Sequence, residues 1–136
     1  AAIPRLSAGA SLAVASSTGS GKTLAYLLPV FEQLKAQEDR RPDMRSETRP
    51  RVIILAPTRD LVEQIAGEAK RLSHHCRVRV RALAAGTKIG DQKRSLASGS
   101  DLIIATPGRL MTLFKMGALS LREVRTVVVD EADDIL

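Results

Sequence analysis

Hydrophobic residues along the chain fall into two alternating patterns. Short runs rich in apolar residues at 11–15, 52–56, 78–83, 102–105 and 125–130 predict five β-strands, several of which are continuously apolar. Between these runs, apolar residues recur every three or four positions, as they do on the buried side of an amphipathic helix; Leu24, Leu27, Phe31 and Leu34 form the first such stripe. Continuously apolar strands that alternate with helices are typical of a parallel sheet covered on both faces. We therefore predict an α/β fold, organised as one domain across residues 1–136.

One segment of this domain does not fit the alternation. Residues 35–50 carry eight acidic and basic side chains between Glu38 and Arg49, and their only large apolar side chain is Met44. A stretch of this composition cannot bury enough apolar surface to be held in place. We predict that residues 35–50 form a mobile, charged connector within the domain.

The first candidate site lies between the first predicted strand and the first predicted helix. This position is typical of a phosphate-binding loop, in which backbone N–H groups surround an anion at a helix N-terminus. Lys22 would reach the β- and γ-phosphates, and the Thr23 hydroxyl would ligate Mg²⁺. Ser16 replaces the glycine that usually opens the pattern, and a simple Gly/Ser-rich turn is the alternative interpretation. The predicted nucleotide-binding residues are Ser17, Thr18, Gly19, Ser20, Gly21, Lys22 and Thr23.

The second candidate site is an acidic pair at the end of the last predicted strand. Asp130, at the tip of that strand, is placed to hold Mg²⁺ through a bound water and so to complete the metal site begun by Thr23. Glu131 can orient or deprotonate an attacking water. Acidic residues also commonly decorate helix N-termini, but the upstream phosphate loop favours catalysis. We predict Lys22 and Glu131 as catalytic residues.

Two further turns, each after another predicted strand, have a similar residue composition. Pro57-Thr58-Arg59 and Thr106-Pro107-Gly108-Arg109 each combine a helix-capping threonine, a proline and an arginine. Unpaired N–H groups at a helix start, together with a positive charge, can take up a phosphate. Either turn alone fits simple capping. Because parallel strands end at one edge of a sheet, where ligands bind in such folds, the two turns together predict a track for a phosphodiester backbone.

The overall charge agrees with a polyanionic partner. Lys and Arg outnumber Asp and Glu by 21 to 15, for a net charge of +6. Phe and Tyr together number only three, and Trp is absent, so stacking of bases is disfavoured and any nucleic acid should be held by its backbone. Arg77, Arg79 and Arg81 alternate along the third predicted strand, where we expect a solvated sheet edge rather than an RNA contact.

Composition also predicts where the protein works. No run approaches the ~18 apolar residues of a membrane span, and the N-terminus has no signal-peptide pattern. The single cysteine, Cys76, cannot form a disulfide within the chain and suits a reducing compartment. We expect an intracellular protein without a membrane association, and the sequence does not identify the compartment.

Taken together, the motifs resemble those of the first RecA-like domain of DEAD-box RNA helicases. The segment 18–23 resembles motif I, 57–64 resembles motif Ia, 106–109 resembles motif Ib, and Asp130-Glu131-Ala132-Asp133 is the motif that names the family. The resemblance covers nearly the whole chain. Asp60 replaces the usual glutamate of motif Ia, and Ala85 replaces the first glycine of the paired-glycine element that contains Gly86.

This resemblance implies an ATP- and Mg²⁺-dependent remodelling of RNA. It implies RNA contacts through phosphates and sugars at Pro57, Thr58, Arg59, Gly86, Thr106, Gly108 and Arg109, and coupling between motifs through Asp133. The family's adenine-reading glutamine motif would precede Ala1 and its Ser-Ala-Thr motif would follow Leu136. A second RecA-like domain, which carries the arginine fingers, would be a partner within the same parent chain. We therefore expect a partial RecA-like domain that is inactive alone, in which predicted strands 11–15 and 125–130 are not directly paired.

Two alternative functions remain at this point. A GTPase should carry Asn-Lys-x-Asp, which does not occur in the sequence, and a small-molecule kinase leaves the two threonine–proline turns unexplained. A catalytically inert RNA-binding scaffold of the same family is the other alternative. The presence of Lys22, Thr23, Asp130 and Glu131 argues against an inert scaffold.

Overall fold

The computed structural model describes residues 21–40 and 49–135. In these ranges helices and strands alternate, as predicted. The helices are α1 (Lys22–Arg40), α2 (Arg59–Ser73), α3 (Ile89–Ala97), α4 (Pro107–Lys115) and α5 (Ala132–Ile135). The strands are β1 (Val52–Leu55), β2 (Val80–Leu83), β3 (Leu102–Ala105) and β4 (Thr126–Val129). The strand predicted at residues 11–15 lies outside the described ranges.

The four described strands form one parallel sheet in the order β2-β3-β1-β4. Their register is level at the carboxyl ends: Leu55 lies opposite both Ala105 and Val129, and Leu83 lies opposite Ala105. The residues that follow the strands therefore emerge along one edge. This arrangement confirms the predicted α/β fold.

Helices cover the sheet on both faces because the strands are apolar on both sides. On one face, Ile54 and Ile104 pack with the inner stripes of α1 and α2, which include Leu27, Leu34 and Ile65. On the other face, the alternate residues of the same strands pack against α3 and α4; this cluster contains Ile53, Leu83, Leu96, Ile103, Ala105, Leu113 and Leu119. None of the helices within the described ranges is both long enough and apolar enough to cross a membrane.

The boundary predicted for the charged connector is wrong at its start. Helix α1 continues through Arg40, six residues into the segment 35–50. Lys, Gln and Glu are good helix formers even without apolar neighbours, and Arg51 contacts this end of the helix at the Leu34 carbonyl and the Gln37 side chain (3.5 and 3.4 Å). Residues 41–48 lie outside the described ranges.

Strand β4 forms one edge of the described sheet. Val127 and Val129 share one of its faces and remain 57% and 41% exposed, whereas Val128 packs against the core on the other face. The expectation that β4 does not pair with residues 11–15 stays a prediction, because that segment is not described.

A buried carboxylate, Asp101, joins the amino-terminal ends of three strands. It accepts hydrogen bonds from the Arg79 backbone N–H (2.8 Å) and Nε (3.0 Å), and from Arg51 Nη2 (3.1 Å). Asp101 directly precedes β3, Arg79 directly precedes β2, and Arg51 directly precedes β1. Although burial alone would raise the pKa of Asp101, the hydrogen bonds and charges of Arg79 and Arg51 outweigh it, and the pKa is lowered.

The predicted solvation of the arginines on the third strand is wrong for two of them. Arg79 pairs with Asp101, and Arg81 donates from Nε to the Ser95 carbonyl (3.0 Å) and from Nη2 to Ser98 Oγ (3.1 Å). Both arginines are partly buried, because α3 and the start of β3 lie over this part of the edge strand. Their contacts are within the domain and serve the fold.

We expect Asp101→Asn to lower the free energy of unfolding at pH 7 by about 2 kcal/mol, because two guanidinium groups lose the carboxylate that pairs them. The folded pKa of Asp101 is lowered, so its stabilisation is complete above the unfolded pKa of about 3.9. That stabilisation is lost as the pH falls through the folded value. Urea unfolding should therefore show a wild-type–variant difference that shrinks as the pH is lowered below about 4.

Asp91→Asn provides the matched control. Asp91 pairs with Arg94 within α3 at an exposed position, so its removal should change stability by less than about 1 kcal/mol. An Asp101→Asn effect that is equally small, or that stays constant with pH, would contradict the role assigned to this carboxylate.

Candidate functional site

The level carboxyl ends of the strands collect four of the predicted turns along one edge. Backbone hydrogen bonds extend the ladders just past the strand ends: Ala56 N–H donates to the Ala105 carbonyl (3.1 Å), Thr106 N–H to Leu83 (3.1 Å) and Asp130 N–H to Leu55 (2.9 Å). The turns that begin at these positions are therefore fixed relative to one another before any ligand is bound.

The acidic turn after β4 has a constrained backbone. Asp130 Oδ1 accepts a hydrogen bond from the N–H of Glu131 (3.0 Å). Glu131 has φ 48°, in the left-handed region that disfavours side chains other than glycine, asparagine and aspartate. This conformation turns the chain sharply between β4 and α5, directly after Asp130.

Tyr26, in the second turn of α1, contacts the acidic turn directly. Its hydroxyl donates to Asp130 Oδ2 at 2.7 Å. The Thr23 side chain lies near the same hydroxyl, and its interaction by itself would lower the pKa of Tyr26. Burial, followed by the hydrogen bond and charge of Asp130, raises the pKa of Tyr26 far above its usual value, so the hydroxyl keeps its proton. The two residues predicted to hold Mg²⁺, Thr23 and Asp130, are thus brought to one hydroxyl group.

The sequence analysis did not identify Tyr26 as a site residue. The signal that could have found it is its spacing: residues i and i+3 lie on the same face of a helix, so Tyr26 lies beside Thr23 once α1 is assigned. Its partner in β4 is remote in the sequence, and the pairing becomes visible only when α1 is placed against the sheet.

The donor set at this point fits a magnesium ion. Thr23 and Asp130 supply a hydroxyl and a carboxylate, which are the hard oxygen ligands that Mg²⁺ prefers. Within the described ranges, no group of three or more His, Cys, Asp or Glu residues is arranged to hold a metal. A magnesium ion commonly keeps several waters and is held by one or two carboxylates together with a ligand's phosphates.

Of the predicted phosphate loop, the structure describes only the last three residues. Gly21 has φ 77°, a conformation that supports a tight turn at the start of α1. Lys22 and Thr23 occupy the first two positions of the helix, where N–H groups have no partner within the helix. Ser17, Thr18, Gly19 and Ser20 lie outside the described ranges, and their predicted role stays a prediction.

Two of the predicted RNA-binding elements are in contact with each other. The Arg59 guanidinium lies against Gly86, such that a Cβ added to Gly86 would fall 2.0 Å from Arg59 Nη1. Gly86 also has φ 91°. On its other side, Arg59 Nε pairs with Glu63 one turn along α2 (2.7 Å), where both side chains are half exposed. Glycine at position 86 is therefore favoured by its left-handed backbone, whereas the flexible end of the half-exposed Arg59 side chain could shift to admit a Cβ.

The two threonine turns begin helices, as predicted, but only one threonine caps its helix. Thr58 Oγ1 accepts the N–H of Leu61 (3.3 Å) at the start of α2. Thr106 occupies the same position before α4, yet its side chain makes no capping bond. Capping therefore accounts for Thr58, whereas the hydroxyl of Thr106 remains available to a ligand. Pro57 is partly buried immediately before Thr58.

Gly108 and Arg109 complete the second turn. Gly108 is exposed, and open space surrounds the position where a Cβ would be, so packing within the described residues does not require glycine there. Arg109 has one guanidinium nitrogen, Nη1, that is buried and has no hydrogen-bond partner in the described part of the chain. Asp133 is exposed in the first turn of α5, and its predicted coupling role stays a prediction.

A buried glutamine that sequence analysis missed supports the turn around Gly86. Gln92 in α3 is 3% exposed, and its Nε2 donates to the Ala84 carbonyl at 2.8 Å. This bond fixes the backbone just before the turn. A polar residue on the buried stripe of a helix was the available signal, because such a residue usually hydrogen-bonds a nearby backbone group.

The chain matches the DEAD/DEAH box helicase family over residues 1–136. It is 38% identical to the DEAD-box ATP-dependent RNA helicase 39 of Arabidopsis thaliana, with 96% of this chain and 21% of that protein covered. It is 39% identical to the DEAD-box ATP-dependent RNA helicase 52A of Oryza sativa subsp. japonica, with coverages of 98% and 23%. Against the ATP-dependent RNA helicase RhlB of Idiomarina loihiensis the identity is 40%, with coverages of 87% and 27%.

A solved structure agrees with these matches. The crystal structure of a hypothetical ATP-dependent RNA helicase from Sulfolobus tokodaii superposes with a TM-score of 0.82 and 29% identity, covering 97% of this chain and 35% of that one. The chain spans only 21% to 27% of the length of the three curated relatives. The similarity to them extends over nearly the whole chain, and the motifs lie along one sheet edge. The chain therefore belongs to the DEAD/DEAH box helicase family.

Proposed function

We propose that this domain forms the ATP- and RNA-binding half of an ATP-dependent RNA helicase that couples ATP hydrolysis to RNA unwinding or remodelling. The observation that carries this proposal is the shared sheet edge. The predicted magnesium ligands Thr23 and Asp130 converge on Tyr26, and Arg59 with Gly86 and the turn at Thr106 lie along the same edge. Such an arrangement can couple the binding and hydrolysis of a nucleotide to the affinity for a nucleic acid backbone.

Each residue at the nucleotide end has a distinct task in this proposal. ATP and Mg²⁺, when bound, supply the γ-phosphoryl group and the neutralising charge. Lys22 would bind the phosphates as a point charge, and Thr23 and Asp130 would hold the metal. Glu131 accepts the proton of the attacking water or orients it. The left-handed backbone of Glu131 turns the chain between the two acids, which supports separate tasks for them.

At the other end of the edge, RNA would be held by phosphate and sugar contacts. Arg59 and Arg109 supply positive charge, and Gly108, which has open space around it, allows a backbone to approach closely. The chain contains only three aromatic residues, and the two described phenylalanines are Phe31, buried in the core, and Phe114 on α4. The affinity for RNA should therefore be largely independent of base sequence.

Glu131→Gln in the full-length parent should retain ATP binding but reduce turnover by at least about a hundredfold, because the carboxylate that accepts a proton is gone. Binding of ATP and steady-state hydrolysis with and without RNA would be measured on the same preparation. Glu123→Gln, which changes a glutamate in the segment before β4, should leave both unchanged. If Glu131→Gln hydrolysed ATP as fast as an active wild type, the catalytic role of Glu131 would be contradicted. If the wild type itself did not hydrolyse ATP, the inert RNA-binding scaffold would be favoured instead.

Residues 1–136 alone should hydrolyse ATP roughly 10³- to 10⁵-fold more slowly than a protein that also carries the second RecA-like domain. The reason is that the arginine fingers of the family belong to that second domain, and an arginine finger contributes a factor of this size. Single-turnover hydrolysis with saturating RNA would give both rates. A rate for residues 1–136 that matches the two-domain protein would show that this domain contains its own complete catalytic set.

Arg59→Ala in the parent should weaken binding to every single-stranded RNA by a similar factor and flatten the plot of log affinity against log salt by about one unit. Polyuridine, polyadenosine and mixed-sequence RNA would be compared at several salt concentrations. Arg94→Ala is the control, because that arginine is exposed on α3 and pairs with Asp91. If Arg59→Ala instead changed the order of preference among these RNAs, the backbone-contact proposal would be wrong.

A further inference from the structure

The hydroxyl of Tyr26 holds the predicted metal-binding carboxylate without belonging to any of the motifs identified in the sequence. The tyrosine ring packs against the core cluster between the sheet and helices α1 and α2. Its hydroxyl emerges at the sheet edge, where it donates to Asp130 Oδ2 at 2.7 Å and lies near the Thr23 side chain. A side chain anchored by packing at one end and hydrogen-bonded at the other restricts the movement of its partners.

Both oxygens of Asp130 are engaged, which fixes the plane of the carboxylate. Oδ2 accepts from Tyr26, and Oδ1 accepts from the N–H of Glu131 at 3.0 Å. A carboxylate offers about four lone-pair sites, so each oxygen retains capacity for a metal-bound water. The carboxylate is thus oriented by two donors on different elements while it stays able to bind a further ligand.

We propose that Tyr26 is a positioning residue that orients Asp130 for the magnesium–nucleotide complex. This inference rests on the proposed function, since it assigns Tyr26 a role toward the same metal. Tyr26 would act only through Asp130 and Thr23, and its loss should weaken metal-dependent nucleotide binding while leaving metal-free binding unchanged. Outer contacts of this kind typically change metal affinity by about 10- to 100-fold.

A second hydroxyl provides a matched control for the docking of α1 onto β4. Thr126 Oγ1 donates to Gln33 Oε1 at 3.1 Å, and this contact also joins β4 to α1, but at the opposite end of the strand. Thr126→Val therefore removes a hydroxyl that joins the same two elements away from the metal ligands. An effect of Tyr26→Phe that arose only from weaker helix docking should also appear in Thr126→Val.

The test measures binding of ADP carrying an N-methylanthraniloyl fluorophore to residues 1–136, at increasing Mg²⁺ and in EDTA. Tyr26→Phe should weaken Mg²⁺-dependent binding by about tenfold, with binding in EDTA unchanged, and Thr126→Val should match the wild type. In the Asp130→Asn background, Tyr26→Phe should have no further effect. Equal affinities of wild type and Tyr26→Phe, or the same loss in both backgrounds, would overturn the proposal.

The failure of this inference can be distinguished from failure of the proposed function. If Asp130→Asn itself leaves Mg²⁺-dependent binding unchanged, Asp130 is not a metal ligand and the proposed function fails at that residue together with this inference. If Asp130→Asn weakens binding and Tyr26→Phe does not, only the role of Tyr26 is refuted.

A spectroscopic readout covers the case in which Tyr26→Phe does not fold. Tyr26 is the only tyrosine of the chain, so ¹³Cζ-tyrosine labelling gives a single resonance that reports its hydroxyl. Asp130→Asn should shift this resonance, because the strong acceptor is replaced by a weaker one, and Mg²⁺ with ADP should shift it in the wild type but not in Asp130→Asn. A resonance that is insensitive to both changes would overturn the proposal.

Discussion

The pairing of Asp101 with Arg79 and Arg51 is the constraint on which the geometry of the sheet depends. The carboxylate joins the beginnings of β1, β2 and β3. The backbone N–H of Arg125, before β4, donates to the Arg51 carbonyl at 2.8 Å, which brings the fourth strand into the same alignment. Because each strand is four residues long, strands that start level also end level, about 13 Å away. An ion pair at one end of the sheet thereby aligns the turns of the candidate site at the other.

Much of this arrangement could be predicted from the sequence. Continuously apolar strands indicate burial on both faces, and that burial implies parallel pairing with helices on each side. Parallel pairing in turn places every strand end at one edge, so the turns at Thr58, Gly86, Thr106 and Asp130 could be assigned to a common site before the structure was known. The argument works because it depends on the repeated chemistry of the elements and not on the position of any one side chain.

The side-chain contacts between different elements of the site could not be predicted in the same way. Tyr26 with Asp130 and Arg59 with Gly86 join residues on different elements, and the distance between such residues depends on how each helix lies on the sheet. The length of α1 was underestimated for a related reason: a charged sequence shows no apolar stripe, although its residues favour the helix and Arg51 contacts its final turns. Arg79 was expected to be solvated because its partner, Asp101, precedes a different strand.

The left-handed backbone of Glu131 has a consequence for how this domain can evolve. A side chain other than glycine in that region costs about 1–3 kcal/mol of strain, which the surrounding contacts must offset. Glycine or asparagine at this position would relieve that strain, so glutamate there carries a cost in stability. Under the catalytic role proposed for Glu131, the identity of this one residue would separate enzymes from inactive descendants among chains of this fold.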